Sequence, residues 1–137
     1  CDRDENMRLV PLTPEEEGVG LLAGAHLGGS RGVLLMQSSG VGNCINLLSL
    51  PRAGRFPFLT LVTMRGDFGE GNPWQMPMGQ STQPVLEACD VTCFCLDDPG
   101  EVSRTISAAI TTAFVSELPV AVLLGQRLIG AKVFEKR

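Results

Sequence analysis

The chain has 137 residues, of which 44% are hydrophobic and 19% charged, with 16 Gly and 9 Pro. That composition describes one globular, loop-rich domain, long enough to bury a core and too apolar for a disordered tail. A formal net charge of −4 without a Lys/Arg cluster argues against nucleic acid or an anionic membrane surface as partner, and no apolar run nears the ~18 residues of a membrane span.

Residues 8–12 read as a strand. Residues 15–27 read as a helix, with Thr13 at its N-cap and Pro14 at the first helical position. Residues 32–37 (Gly-Val-Leu-Leu-Met-Gln) form a continuous apolar strand. Residues 42–50 form a short helix that ends before Pro51. Residues 58–63 are a third strand, and residues 65–79 a long loop holding four Gly and two Pro. A helix over 81–88, a strand over 91–96, a helix over 100–116 and a last strand over 120–124 follow. Strands that are apolar throughout are buried on both faces. Strand-helix-strand order then gives a parallel sheet with right-handed crossovers. The expected fold class is α/β, an open parallel-sheet three-layer sandwich. Ligands of such sheets bind beyond the carboxyl ends of the strands. The connections 11–17, 38–43 and 64–79 should share that edge. No signal peptide is visible, and the abrupt opening on a strand leads us to expect an earlier strand and helix ahead of Cys1.

The five cysteines are an odd number in a chain that needs no staples, which suits a reducing cytosol. Cys89, Cys93 and Cys95 cluster, but their spacing is not that of paired zinc ligands, and the single His26 is far away in sequence. They read as small buried hydrophobes, with Cys93 and Cys95 on one face of a strand. His26 reads as a dipole partner near a helix end.

Three stretches carry candidate chemistry. The acids Glu15, Glu16 and Glu17 open a helix that is otherwise small and apolar. Thr13-x-x-Glu16 is a capping-box pattern, so Glu16 is either a solvated cap or an acid with a chemical role. Ser38-Ser39-Gly40-Val41-Gly42-Asn43 follows a strand and opens a helix, the context of a phosphate-binding turn. It lacks the third Gly of the dinucleotide fingerprint and the Lys of a P-loop, so close backbone packing stays open as the plainer reading. The loop 65–79 holds the only Trp and reads as a ligand or subunit contact. Glu70, Asn72 and Gln75 offer it polar groups for an anionic substrate. Arg65, its one cation, can fork onto a sulfonate or pair with an acid such as Asp67.

In this order, the motifs 15–25 (Glu-Glu-Glu-Gly-Val-Gly-Leu-Leu-Ala-Gly-Ala), 36–43 (Met-Gln-Ser-Ser-Gly-Val-Gly-Asn) and 65–79 (Arg-Gly-Asp-Phe-Gly-Glu-Gly-Asn-Pro-Trp-Gln-Met-Pro-Met-Gly) resemble the pyrimidine-binding domain of thiamine-diphosphate decarboxylases. The nearest branch is the alpha subunit of the sulfopyruvate type, with the phosphonopyruvate type as its sister. The likeness spans nearly the whole chain. It implies that residues 1–137 form one pyrimidine-binding domain, lacking its first strand and helix.

The resemblance implies that Glu16 contacts the cofactor's aminopyrimidine, with Glu15 the fallback one residue away. Ser39, Gly40, Gly42 and Asn43 would line the cofactor. A carboxyl in an apolar, water-poor site favours its protonated form and can exchange that proton with a ring nitrogen, while the cofactor takes up the electrons as carbon dioxide leaves. The signature of the diphosphate-binding half, Gly-Asp-Gly followed by Asn, is missing, because Phe68 follows Gly66-Asp67 and residues 90–95 hold no Asn. No metal ligands are expected on this chain. Magnesium and the diphosphate would sit on a beta subunit in a cytoplasmic hetero-oligomer. The loop lacks the Lys and His that phosphonopyruvate enzymes tend to carry there, which favours conversion of 3-sulfopyruvate to sulfoacetaldehyde and carbon dioxide. Phosphonopyruvate decarboxylation, another thiamine-dependent lyase or synthase, and a non-catalytic metabolite-binding domain are the alternatives.

Overall fold

Each helical connection returns the chain to the same end of the sheet, so successive strands run in one direction. The structure, a computed structural model, describes residues 4–130. Strands β1 (Leu34–Gln37), β2 (Phe58–Thr63), β3 (Thr92–Leu96) and β4 (Pro119–Leu124) form one sheet in the order β1-β2-β4-β3. All three pairings are parallel, with Leu34 opposite Thr60, Phe58 opposite Pro119 and Thr92 opposite Val120. The helices are α1 (Glu15–Leu27), α2 (Ser38–Cys44), α3 (Ser49–Gly54), α4 (Met76–Ala88), α5 (Val102–Phe114) and the single turn α6 (Gln126–Ile129).

Strand alternation sorts the core into two layers. Phe58, Val62, Ala121 and Leu123 face α1, α2 and α4, packing with Val19, Val41, Cys44 and Leu86. Leu59, Leu96, Val120 and Val122 face α5, whose Ala109 and Ala113 let it lie close to the sheet. This is the expected α/β three-layer sandwich. Burial on both faces holds for the central strands β2 and β4 only. On the edge strands, Leu35 of β1 is 57% exposed and Cys95 of β3 is also exposed, so Cys95 does not serve as a core hydrophobe. Cys44 is buried and Cys89 and Cys93 pack partly against the first core layer, all as free thiols. Burial pushes the Cys44 thiol up to about 11, aided by the Glu15 and Glu16 charges, so it stays protonated beneath them. His26 lies in the last turn of α1 with its ring edge-on to Phe56.

Several boundaries differ from expectation. Residues 8–12 form no strand: β1 pairs with β2 alone, and its outer edge takes no ladder bonds from this segment. The helix expected over 42–50 is two helices, α2 beginning at Ser38 and α3 beginning at Ser49. Pro51 does not end the second; it lies in its first turn, where a missing N–H leaves no bond unmade. The long loop is shorter than expected, because a 3-10 turn over Pro73–Gln75 leads directly into α4 at Met76. The cap of α1 falls on Pro14 without a side-chain bond. Glu17 reaches back instead, its carboxylate accepting the Thr13 N–H at 2.9 Å. The back-bonding acid is therefore Glu17, and Glu16 is not held as a cap.

Candidate functional site at the carboxyl edge of the sheet

The carboxyl ends of β1 and β2 bring the three sequence motifs together. β1 runs straight into α2, so Ser38-Ser39-Gly40-Val41-Gly42-Asn43 forms helix and not the phosphate-cradling turn considered above. Its glycines serve close packing. A Cβ on Gly40 would lie 2.6 Å from Glu15 Cγ and 2.8 Å from Glu15 Oε1. Gly42 faces Met78 of α4, whose sulfur would stand 3.5 Å from such a Cβ. Asn43 Nδ2 donates to Glu15 Oε2 at 2.8 Å, and Ser39 Oγ donates to Gln37 Oε1 at 3.0 Å.

Glu15, half-buried, is thus the acid seated on Gly40 and Asn43. Glu16 is exposed and makes no hydrogen bond among the described residues. Of the expected cofactor-lining set, Gly40 and Asn43 meet at Glu15, while Ser39 and Gly42 lie alongside on the same helix.

The second group is built on the segment after β2. Arg65 donates from Nε (2.5 Å) and Nη2 (2.8 Å) to the two carboxylate oxygens of Glu70. Their side chains are only 14% and 0% exposed. Arg65, hydrogen-bonded to it, holds the Glu70 carboxyl down at about 2 against the opposing effect of burial, with help from the Asn72 N–H and the Gln126 amide. Arg65 and Glu70, both expected to meet substrate, therefore satisfy each other. The ion-pair reading of Arg65 holds, with Glu70 in place of Asp67. Asn72 is also committed, since its side chain accepts the Trp74 N–H at 3.1 Å and caps the 3-10 turn. Gln75 is half-buried in that turn, and Trp74 is 85% exposed.

Two glycines make the loop's path possible. Gly66 has φ +80°, and a Cβ there would collide with the Gln75 carbonyl. A Cβ on Gly79 would collide with the Arg65 carbonyl and come within 2.6 Å of Gly66. The loop and the first turn of α4 thus cross backbone against backbone. The Arg65 peptide brackets Ser38, donating its N–H to Ser38 Oγ at 3.1 Å and accepting from it at 3.2 Å. That contact ties the loop to the first residue of α2.

Sequence reasoning missed Gln126 and gave Ser38 no role of its own within the motif 38–43. Gln126 opens α6 just past the carboxyl end of β4 and is 1% exposed. Its Oε1 accepts the N–H groups of Asp67 and Phe68, both at 3.1 Å, and its Nε2 donates to Glu70 at 3.0 Å. The signal was available, since the segment after β4 leaves the same sheet edge as those that were considered. Nearby, a cleft of about 390 Å³ opens at the ends of β3 and β4, lined in part by Asp67, Gln83, Glu87, Cys95 and Asp97. Its lining is acidic without a cation, so it cannot by itself hold an anionic substrate. Among the described residues, no three His, Cys, Asp or Glu side chains stand together to hold a metal, and no helix is long and apolar enough to cross a membrane.

No protein-family model matches the chain. Individual proteins do. The sulfopyruvate decarboxylase subunit alpha of Methanococcus maripaludis is 41% identical over 122 residues, covering 88% of this chain and 73% of that protein. The subunit of the same name from Methanocaldococcus jannaschii is 37% identical over 89% of this chain and 73% of its own length. A phosphonopyruvate decarboxylase of Streptomyces viridochromogenes is 35% identical over 93% of this chain, but only 33% of that longer protein is covered. With 37–41% identity extending over nearly three quarters of these two alpha subunits, and with its acid-headed helix and Gly-rich loop meeting at one sheet edge, the chain belongs to the family of sulfopyruvate decarboxylase alpha subunits.

Proposed function

We propose that this chain is the alpha subunit of a thiamine-diphosphate-dependent carboxy-lyase that converts 3-sulfopyruvate to sulfoacetaldehyde and carbon dioxide together with a beta subunit. Glu15 carries this assignment: it is a half-buried carboxylate, fixed by Asn43 and seated on a glycine, at the edge where parallel sheets bind ligands. The donor set suits the aminopyrimidine half of the cofactor. Asn43 fixes Oε2 of Glu15 and leaves Oε1 over Gly40, free to share a proton with a ring nitrogen. The first-turn glycine of α2 admits the Glu15 side chain where a larger residue would push it away. Glu16, the first choice on sequence, gives way to Glu15 in this reading because it is exposed and unanchored.

When bound, thiamine diphosphate would supply the electron sink for the pair left on the substrate carbon as carbon dioxide departs. We assign the magnesium and diphosphate to the beta subunit, because Phe68 follows Gly66-Asp67 where the Gly-Asp-Gly signature would stand. Arg65 is spent on Glu70, so the sulfonate is also met from the partner's side, and this chain contributes the acid and the shape of the wall. The exposed Trp74 fits a place in the contact with that subunit. The free thiols of Cys44, Cys89, Cys93 and Cys95 agree with a cytoplasmic setting.

Calorimetric titration with thiamine diphosphate and magnesium tests the shared cofactor site. Binding by the mixed subunits and none by this chain alone is expected. Micromolar, magnesium-dependent binding to this chain alone would refute the division between subunits.

A further inference from the structure

A path of hydrogen bonds links the last described helix to the acid at the far side of the sheet. It begins at Gln126, whose side-chain amide is almost wholly enclosed and uses both of its ends, Oε1 accepting two bonds and Nε2 donating one. The Gln126 backbone N–H also points to the Asp67 carboxylate, at 3.3 Å. Glu70 passes the contact to Arg65 through two bonds. The Arg65 peptide passes it to Ser38. Ser38 starts α2, which carries Gly40 and Asn43 beneath Glu15. The adjacent Arg127 adds a second tie, its guanidinium stacked 3.9 Å from the centre of the Phe68 ring.

We propose that Gln126 is a positioning residue for the reaction: its side-chain amide fixes residues 65–70 at the carboxyl edge of the sheet and, through Glu70, Arg65 and Ser38, sets α2 under Glu15. This inference rests on the decarboxylase function proposed above. Gln126 touches neither substrate nor cofactor in this scheme. It specifies one arrangement because an amide has two unlike ends. The oxygen accepts two backbone N–H groups, and the nitrogen donates to a carboxylate already held by Arg65. A side chain that only filled space would leave the Asp67 and Phe68 N–H groups and Glu70 without these bonds, while the Ser38 bonds and the Gly66–Gly79 crossing would still hold the start of the loop. A buried polar group bonded at both of its ends confers this kind of specificity.

The test uses the complex with the beta subunit, thiamine diphosphate and magnesium. Q126E keeps the shape and both accepted N–H groups, but it removes the N–H given to Glu70 and sets one carboxylate against another. The double variant E70Q/Q126E exchanges the two groups, restoring a donor-acceptor contact between them and the wild-type total charge, while residue 70 then offers Arg65 one acceptor in place of two; the single variant E70Q is the control for that loss. For Q126E we expect kcat/KM on 3-sulfopyruvate to fall about 10- to 100-fold, the size of effect that a small misplacement of reacting groups produces, with little change in the dissociation constant for thiamine diphosphate. Hydrogen exchange at the Asp67 and Phe68 amides should quicken in Q126E, and the double variant should recover the slow exchange and a rate matching that of E70Q alone. Faster exchange with unchanged kinetics in Q126E would overturn the proposal. So would a double variant whose amides are protected again but whose rate stays well below that of E70Q. If Q126E alone fails to fold, the double variant decides by the same criterion. A wild-type complex inactive on every 2-oxo acid would overturn the proposed function and this inference together, whereas an active wild type with an indifferent Q126E would overturn the inference alone.

Discussion

Replacing Gly40 with Ala tests whether Glu15 is the working acid, because the change moves Glu15 without altering its chemistry. The new Cβ would stand 2.6 Å from Glu15 Cγ and 2.8 Å from its Cδ. Carbon-carbon contact needs about 3.5 Å, so the Glu15 side chain must retreat by about 0.9 Å or swing away. The retreat breaks the 2.8 Å bond from Asn43, a loss of about 0.5–1.5 kcal/mol. Alanine in place of glycine within α2 returns about 0.8–1.0 kcal/mol of helix propensity. The two nearly cancel, so G40A should fold with a urea midpoint close to wild type. Catalysis should not survive as well, since a 1 Å displacement of a reacting group can cost about 10²-fold in rate. The assay is decarboxylation of 3-sulfopyruvate by the complex with the beta subunit, at saturating thiamine diphosphate and magnesium. E15Q should be as impaired as G40A or more so, and E16Q close to wild type. Near wild-type turnover in G40A, or a dead E16Q beside an active E15Q, would return the role to Glu16.

Other perturbations bear on the loop. R65A should lower kcat/KM for sulfopyruvate and pyruvate by the same factor, because Arg65 is held by Glu70; a loss confined to sulfopyruvate would mean that the guanidinium reads the sulfonate. G79A should destabilise the chain by about 1–3 kcal/mol in urea unfolding, since its Cβ would press on the Arg65 carbonyl and the Gly66 backbone and neither is a flexible side-chain end; an unchanged midpoint would show that the crossing is looser than described. Glu70 gives a pH signature. Its carboxyl falls from an ordinary 4.5 to about 2 on folding, so between those values the unfolded chain binds more protons and stability declines as pH falls. E70Q should flatten the stability profile between pH 4.5 and 2, and a profile matching wild type there would place the acid-sensitive group elsewhere.

The sheet was legible in the sequence because β2 and β4 are apolar at nearly every position, a pattern that only burial on both faces explains. The edges were less so. Residues 8–12 have strand-like composition, but pairing depends on a neighbour that composition does not show. The site was legible as motifs and illegible as register. Three successive acids look alike along the chain, yet on a helix each points about 100° from the next. One therefore lands on Gly40, one reaches back to Thr13, and one faces solvent. Arg65 looked free for substrate because Glu70 lies five residues away in a loop, a spacing with no fixed geometry. Gln126 lies 56 residues beyond its partner Glu70, a pairing that only the sheet order β1-β2-β4-β3 creates.

The most direct measurement of the central claim is carbon dioxide release from a panel of 2-oxo acids by the complex of this chain with its beta subunit, thiamine diphosphate and magnesium. Release from 3-sulfopyruvate with formation of sulfoacetaldehyde, faster than from phosphonopyruvate or pyruvate and absent when either subunit is left out, is the result predicted here. Release of no carbon dioxide from any member of the panel, or full activity from the beta subunit alone, would contradict it.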